Sequence, residues 1–228
     1  MIHVVFATPC LSYNVSTEWL HAHDDTLLLL QGMGIEQSWV QVSGDCYLAR
    51  VRNRLVHKFL KEFPQATHLF FIDDDVGWEP AAVPRLLADD LDIVCGIYPY
   101  KQDKVSFPAV MTERDGKAVE RDGLYMADRV PTGFLCIRRN VLDQVASVSR
   151  VFRYPEQDGT ESWCPEIFRM GVYGDQWWGE DFDFCNRWRE MGGEIWVDPN
   201  IEFSHSGRKT WKGKLMDVAK LVQREAAE

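Results

Sequence analysis

Short apolar runs alternate with amphipathic segments through the first hundred residues of the chain. Runs rich in β-branched and aromatic residues predict buried strands at residues 2–7, 35–42, 68–72 and 92–98, the first ending at Thr8-Pro9. The segments between them predict helices at residues 16–33, 46–63 (capped by Asp45) and 80–87. This alternation is typical of a Rossmann-like, open and mostly parallel α/β sheet flanked by helices.

The second half of the chain is less regular. Asp115-Gly116 and Asp122-Gly123 predict tight turns within the polar stretch 101–128, as in a hairpin at a sheet edge. Strands are expected at 130–138 and 194–197, helices at 140–148 and 181–191, and a C-terminal helix at 214–228. Residues 154–179 are rich in Gly, Pro and Trp and predict a long loop. The whole chain, residues 1–228, is expected to form a single domain.

Composition indicates a globular protein with a large core. Hydrophobic residues make up 46% of the 228 residues, and the net charge of -10 disfavours non-specific binding of polyanions. The six cysteines form no CxxC pair, which favours free buried thiols over a zinc site. No signal peptide is visible after Met1, and the run Leu27–Leu30 is too short to span a bilayer. We therefore expect no transmembrane segment and a soluble, cytoplasmic protein.

Three consecutive carboxylates follow the apolar run at residues 69–72. Asp73, Asp74 and Asp75 stand at the carboxyl end of a strand predicted to be buried on both faces. Like charges this close resist ionisation unless a cation lies among them. A divalent ion that bridges a diphosphate is the chemistry this cluster favours. A simple turn at the strand end explains one Asp more readily than three.

Further candidate residues lie near the same sheet edge. Ligands of open α/β sheets bind beyond the carboxyl ends of the strands, where Thr8 also falls. Arg50, Asn53, Arg54 and His57 share one face of the second predicted helix. Arg50 and Asn53, near the start of that helix, are the candidates for a phosphate or base contact, although a solvated polar face fits the spacing equally well.

A second dense group surrounds the start of the helix at 181–191. Trp177 and Trp178 precede Glu180 and Asp181, and aromatic faces beside carboxylates are suited to holding a sugar. One of these carboxylates is a candidate general base for a hydroxyl nucleophile, although acidic residues also stabilise helix N-termini. His205 follows a strand-like segment, and its imidazole is a candidate ligand for a manganese-like ion.

These motifs together resemble a GT-A fold glycosyltransferase. The resemblance covers about residues 2–210 and is similar to inverting, DXD-containing enzymes such as family 2 and β-1,4-galactosyltransferases, and to compact glycosyltransferases of phages and bacteria. It implies a nucleotide-sugar-binding half at about 1–100 and an acceptor-side half at about 101–213. The residues that match, in the family's order, are Thr8-Pro9, Arg50 to Asn53, Asp73-Asp74-Asp75, Thr132-Gly133-Phe134, Trp178 to Asp181 and His205.

The resemblance also implies roles for individual residues. Asp75 and His205 would hold Mn²⁺ or Mg²⁺, and Asp73 would contact the ion or the donor ribose. Asp181 would be the base and Glu180 would bind the acceptor. The remaining donor contacts, to a nucleotide sugar such as a UDP-sugar, would come from Thr8, Pro9, Arg50, Asn53, Asp74 and Gly133, and the remaining acceptor contacts from Trp177 and Trp178.

Two departures from the family pattern leave questions open. The third Asp makes the register of the DXD motif ambiguous, so that Asp74 is an alternative ligand. A single Gly precedes Glu180, where galactosyltransferases carry two, and this leaves the donor sugar and the linkage open.

The function expected from the resemblance is metal-dependent sugar transfer to a hydroxyl acceptor, with inversion, in the cytoplasm of a bacterial or phage-infected cell. The acceptor is a saccharide or a hydroxymethylated base in phage DNA. The basic clusters at 50–54 and 208–214 favour a local phosphate contact, whereas the net charge opposes one. The alternatives are a nucleotidyltransferase, which would release pyrophosphate, and a non-catalytic nucleotide-sugar-binding module. The oligomeric state stays open.

Overall fold

The computed structural model describes residues 1–156 and 158–217, which form an α/β fold. The helices are α1 (Thr17–Gly32), α2 (Leu48–Glu62), α3 (Ala82–Ala88), α4 (Arg139–Ser147) and α5 (Glu180–Glu190). The strands are β1 (His3–Cys10), β2 (Glu36–Ser43), β3 (His68–Ile72), β4 (Val76–Trp78), β5 (Ile93–Gly96), β6 (Val110–Met111), β7 (Glu113–Arg114), β8 (Lys117–Ala118), β9 (Glu120–Arg121), β10 (Leu124–Arg129), β11 (Phe134–Arg138), β12 (Val151–Pro155), β13 (Glu161–Pro165), β14 (Gly171–Tyr173), β15 (Gln176–Trp178), β16 (Trp196–Asp198), β17 (Phe203–His205) and β18 (Trp211–Gly213). No helix within these residues is both long and apolar enough for a membrane span.

The central sheet has nine strands in the order β2-β1-β3-β11-β5-β16-β10-β6, with β9 beside β10. Strands β1, β2 and β3 run parallel, and β16 runs parallel to β5. Strands β11 and β10 run antiparallel to their neighbours. The predicted α/β class with a largely parallel sheet is therefore confirmed, and β11 and β10 are the antiparallel members of that sheet.

The sheet separates two hydrophobic cores. Phe71 lies in the core that also holds Leu55 of α2 and Phe184 of α5. Its neighbour Phe70 lies in the opposite core with Trp19 of α1. Because successive side chains of a strand point to opposite faces, β3 must be apolar at every position to serve both cores. This explains the continuous apolar run before the Asp cluster.

Several predicted elements differ from the structure. Strand β1 continues through Pro9 to Cys10 instead of ending at Thr8-Pro9, because its pairing with β3 stops at Ala7 and Pro9 pairs with β2 alone. The predicted loop at 154–179 contains the hairpin β14–β15 and most of the hairpin β12–β13. Most of the predicted C-terminal helix at 214–228 lies outside the described residues.

The two Asp-Gly turns are as predicted. Asp115 and Gly116 have φ values of 54° and 71°, and Asp122 and Gly123 have φ values of 53° and 82°. These left-handed conformations match the two-residue hairpin turns that Asp-Gly favours. They connect β7 to β8 and β9 to β10, which form an elaboration at the β6 end of the sheet.

Candidate active site

The Asp cluster forms the turn between β3 and β4. The backbone N–H of Asp73 donates to the carbonyl of Gly133 (3.0 Å), which immediately precedes β11. The Asp73 carboxylate accepts from Arg52 Nη2 (2.9 Å) and from the Tyr98 hydroxyl (3.4 Å). A Cβ on Gly133 would lie 2.5 Å from Asp73 Oδ2 and 2.4 Å from the Tyr98 hydroxyl, so the close approach of these groups requires glycine.

Arg52 is a buried cation that joins the two predicted halves of the site. Its side chain is 2% exposed, and its Nε donates to Glu180 Oε1 (3.2 Å) while Nη2 contacts Asp73. The guanidinium also lies 5.3 Å from the centre of the Phe71 ring. Burial alone would lower the pKa of Arg52, but the charges of Asp73 and Glu180 raise it above its ordinary value. Arg52 is therefore held fully charged between the Asp cluster and α5.

Sequence reasoning did not select Arg52. The helix face assigned to ligand binding contained Arg50 and Asn53, on either side of it. Arg52 lies at helical spacing with Leu55, Val56 and Phe59, which belong to the buried apolar stripe of α2. A single arginine within an apolar stripe indicates a buried charge with acidic partners elsewhere in the chain, and this was the available signal.

Asp75 and His205 meet because β4 pairs with β17. Val76 lies opposite His205 in that pairing, which brings His205 Nε2 to 3.3 Å from Asp75 Oδ1. His205 Nδ1 lies 2.7 Å from the carbonyl oxygen of Pro99. Because a carbonyl only accepts, Nδ1 carries a hydrogen. Nε2 then either donates a second hydrogen to Asp75 or turns its lone pair towards the carboxylate, and in the second case a cation beside both atoms would relieve the repulsion between them.

The ionisation of the cluster is uneven. Burial raises the pKa of Asp75, but hydrogen bonds from His205 and Lys101 outweigh that effect and lower it overall. The pKa of Asp74 is raised to about 6, mainly by burial and then by the charge of Asp75. The Lys101 ammonium contacts Asp75 directly. Positive charge is thus already drawn to Asp75, the residue predicted to bind the metal.

Two side chains at this turn could serve as ligands of a divalent ion. A carboxylate and an imidazole are suitable ligands for Mn²⁺, and Asp75 and His205 supply both. Within residues 1–156 and 158–217, no three His, Cys, Asp or Glu side chains are arranged to hold an ion by themselves. An ion here would therefore need further oxygen ligands, such as those of a diphosphate.

Asp181 lies at the N-terminus of α5, beside Glu180. Burial and the neighbouring charge of Glu180 raise the pKa of Asp181 to about 6. Burial and the charge of Asp73 raise the pKa of Tyr98, and the charges of Asp181 and Asp75 add to this effect. Tyr98 therefore lies close enough to the Asp cluster and to Asp181 for both to act on its ionisation. Glu180 itself is 7% exposed and is paired with Arg52, which indicates a positioning role more than direct acceptor binding.

Several residues predicted to contact the nucleotide sugar are buried or hydrogen-bonded within the protein. Thr8 and Pro9 are buried in β1, and Thr8 Oγ1 accepts from Trp39 Nε1 (3.4 Å). Asn53 makes two 2.8 Å hydrogen bonds to the backbone of Phe168. These three residues are thus buried or bonded within the protein, and their contacts to a nucleotide stay a prediction.

Arg50 remains accessible at the mouth of a cleft. Its guanidinium donates to both carboxylate oxygens of Asp45 (2.8 and 2.7 Å), so Asp45 pairs with Arg50 and does not cap α2 as predicted. A cleft of about 780 Å³ opens between α2, the carboxyl end of β2 and the hairpin β12–β13. Arg50 and Tyr154 are among its lining residues. The cleft opens at the same sheet edge as the Asp cluster, because β2 and β3 are both parallel to β1.

The predicted acceptor-side tryptophans lie on the hairpin β14–β15, directly before α5. Trp177 is 66% exposed and pairs with Val172 across the hairpin. Trp178 packs against the Tyr173 ring, with a centroid distance of 5.5 Å. Asp183 anchors the first turn of α5 through two hydrogen bonds from Arg169 (3.0 and 2.9 Å). Trp178 and Tyr173 thus share one face of the hairpin, a few residues from Asp181, whereas Trp177 points to the other face.

Comparison with known proteins identifies a shared fold. The chain resembles A197 from STIV, a solved structure, with a TM-score of 0.57 and 17% identity over 95% of this chain and 91% of that one. At this identity the similarity shows the fold alone. A glycosyltransferase involved in the glycosylation of the major capsid of PBCV-1 matches with a TM-score of 0.34 and 11% identity over 63% of each chain. No protein-family model matches the chain, and no curated protein matches its sequence.

Proposed function

We propose that this protein is a metal-dependent glycosyltransferase that moves a sugar from a nucleoside-diphosphate sugar, such as a UDP-sugar, to a hydroxyl acceptor. The observation that carries the proposal is the placement of Asp75 and His205 next to Asp73, which Arg52 connects to Glu180 and hence to the carboxylate of Asp181. An ion-binding pair and a base with a raised pKa are the two functions that such a transfer needs.

The donor would bind along the carboxyl edge of the sheet. Asp75 and His205 would hold Mn²⁺ or Mg²⁺ together with the donor diphosphate, and the ion would supply charge neutralisation for the departing diphosphate. Asp73, two residues before Asp75, is held by hydrogen bonds from Arg52 and Tyr98 and would contact the ion or the donor ribose. The nucleoside half of the donor would extend into the cleft beside Arg50.

The acceptor would approach from the hairpin β14–β15. Asp181 would remove the proton of the acceptor hydroxyl, and its pKa of about 6 leaves it largely deprotonated at neutral pH yet more basic than an ordinary carboxylate. Attack from this side, opposite the diphosphate, would be a single displacement that inverts the anomeric centre. Trp177 and Trp178 would support a saccharide acceptor. A hydroxymethylated base in phage DNA is the other acceptor we propose to test.

Ligand binding and turnover test separate parts of the proposal. A thermal-shift screen of nucleotide sugars with and without Mn²⁺ should show a metal-dependent rise in Tm for at least one donor. Asp181→Asn should keep that shift but lose turnover by at least about a hundredfold. The matched control is Asp143→Asn at an exposed position on α4, which should retain activity. Near-full activity of Asp181→Asn would remove its role as base.

The products distinguish the alternative functions. Release of a nucleoside diphosphate supports glycosyl transfer, whereas release of pyrophosphate would identify a nucleotidyltransferase. Donor binding with neither product, across saccharide and hydroxymethylated-DNA acceptors followed by mass spectrometry, would indicate a binding module. NMR of the product anomer tests inversion, and a retained configuration would overturn that part of the mechanism.

A further inference from the structure

Strand β2 forms one edge of the nine-stranded sheet. It pairs with β1 along all eight of its residues, and its outer side has no strand partner among residues 1–156 and 158–217. An edge strand of this length presents a row of free backbone N–H and C=O groups. Such a row is a template for pairing with another strand.

The hydrogen bonds at the two ends of β2 show which residues face outward. Glu36 N donates to Ile2 O (3.1 Å), and Gly44 N donates to Cys10 O (3.1 Å). Because backbone groups of a strand alternate sides, the even-numbered residues bond to β1. The N–H and C=O groups of Gln37, Trp39 and Gln41 therefore point away from the sheet.

This edge lacks the devices that usually prevent strand pairing. Residues 37–43 contain no charged residue and no proline, and the β1–β2 register has no bulge. The Trp39 side chain is 45% exposed on the strand. The strand at the opposite edge of the sheet, β6, has only two residues and therefore offers few backbone groups for pairing.

Helix α1 extends the exposed apolar surface beside this edge. Gln37 Nε2 donates to the carbonyl of Leu27 (3.1 Å), which places the C-terminal half of α1 next to β2. Leu28, in this half of α1, is 68% exposed, and Met33, which directly follows α1, is 56% exposed. A partner that pairs with β2 would therefore also meet apolar side chains from the flanking layer.

We propose that β2 pairs antiparallel with β2 of a second copy of this chain, about a two-fold axis near Val40, to form a continuous sheet across a dimer. An antiparallel pair of identical strands is self-complementary, as a two-fold interface requires. The net charge of -10 opposes most self-contacts, but residues 37–43 are uncharged and bring no repulsion to the axis. The two copies of Glu36, the single charged residue of β2, would lie at opposite ends of the paired strands and so far from each other.

Residue-resolved amide exchange tests this proposal on the intact chain. At low concentration the amides of Gln37, Trp39 and Gln41 should exchange fast while those of Ser38 and Val40 are protected. At high concentration the three outward amides should slow by at least about tenfold, as the mass from light scattering rises towards twice that of the monomer. Protection of these amides in a monomer at every concentration would overturn the proposal, because the chain itself would then cover the edge.

A pair of variants at one position isolates the backbone contribution. Gln41→Pro removes an N–H that faces away from β1, so it should abolish the dimer while circular dichroism shows a folded protein. Gln41→Thr removes the same side chain but keeps the N–H, so it should remain dimeric. A dimer that survives in a folded Gln41→Pro variant, or a wild-type protein that stays monomeric at the highest concentration, would refute β2 pairing. Gln41 also lines the cleft proposed for the nucleoside, so mass and amide exchange, and not activity, are the readouts of this proposal.

Discussion

Replacing Arg52 by methionine tests whether one buried cation holds the two halves of the site together. Methionine keeps much of the side-chain volume but leaves Asp73 and Glu180 without their shared counter-charge. Removing one partner of a buried ion pair costs about 3–5 kcal/mol. The Asp73 and Glu180 side chains are 22% and 10% exposed, so water relieves part of the penalty. We therefore expect the lower end, about 3 kcal/mol.

The assay is urea unfolding followed by tryptophan fluorescence, with thermal unfolding as a second measure. A loss of about 3 kcal/mol in a chain of this size corresponds to a fall in Tm of about 6–12 °C. The matched control is Lys58→Met on the same helix, because the Lys58 and Glu62 side chains are 33% and 48% exposed and their pair should contribute less than about 1 kcal/mol. If the two variants lose the same free energy of unfolding, the buried pairing of Arg52 with Asp73 and Glu180 does not stabilise the fold more than an exposed ion pair does.

The same variant has a second, independent readout. The positive charge of Arg52 lowers the pKa of Asp181, which burial and Glu180 raise to about 6. Without that charge the pKa of Asp181 should rise further. Under the proposed function, the acid limb of the pH–rate profile should therefore move to higher pH in Arg52→Met. An unchanged limb in a folded, destabilised variant would show that Arg52 acts on stability alone.

Three further predictions concern the ionisation, the ion site and the close packing of the site. If Asp181 is the base, wild-type kcat/KM should fall about tenfold per pH unit below about pH 6, because the base must be deprotonated; a flat profile from pH 5 to 7 would contradict this role. Lys101→Met should tighten Mn²⁺ binding in electron paramagnetic resonance titrations, since Lys101 contacts Asp75; weaker binding would show that the ammonium does not compete with the ion. Gly133→Ala should lower the free energy of unfolding by about 1–3 kcal/mol, measured by chemical denaturation. The control is Gly32→Ala, which has no atom within 4 Å of the added Cβ and should leave stability unchanged or raise it. Equal effects of the two substitutions would argue against the close approach of Gly133 to Asp73.

Local sequence patterns are sufficient to predict the positions of most strands of the central sheet. The bounds of β3 match the predicted strand, because a strand that serves two cores is apolar at every position. Helix α1 begins one residue after the predicted start at residue 16, because Ser16 caps it: the Ser16 hydroxyl accepts from Trp19 N (3.1 Å). The hairpins at 151–165 and 171–178 were missed because their strands are short and largely exposed, with Trp, Gly and Pro in place of a clean alternation.

The candidate site was predictable only where its residues follow directly from a strand or helix end. The Asp cluster after β3 and Asp181 at the start of α5 are of this kind. The contact between Asp75 and His205 depends on the pairing of β4 with β17, which joins residues more than a hundred positions apart. No local pattern specifies such a pairing, so the order of motifs in a resembling family was the only sequence signal for it.

Arg52 shows why side-chain roles are harder to predict than positions. Helical periodicity placed Arg50 and Asn53 on a polar face, yet Arg50 pairs with Asp45 and Asn53 bonds the Phe168 backbone. Arg52, which lies between them in the sequence, points into the core. Its burial is tolerated because it pairs with two carboxylates, Asp73 and Glu180, one from each half of the site. Neither carboxylate can lose this cation without leaving a charge unpaired. A substitution of Glu180 is therefore expected to change the environment of Asp73 as well, so the two carboxylates should respond to mutation as one unit.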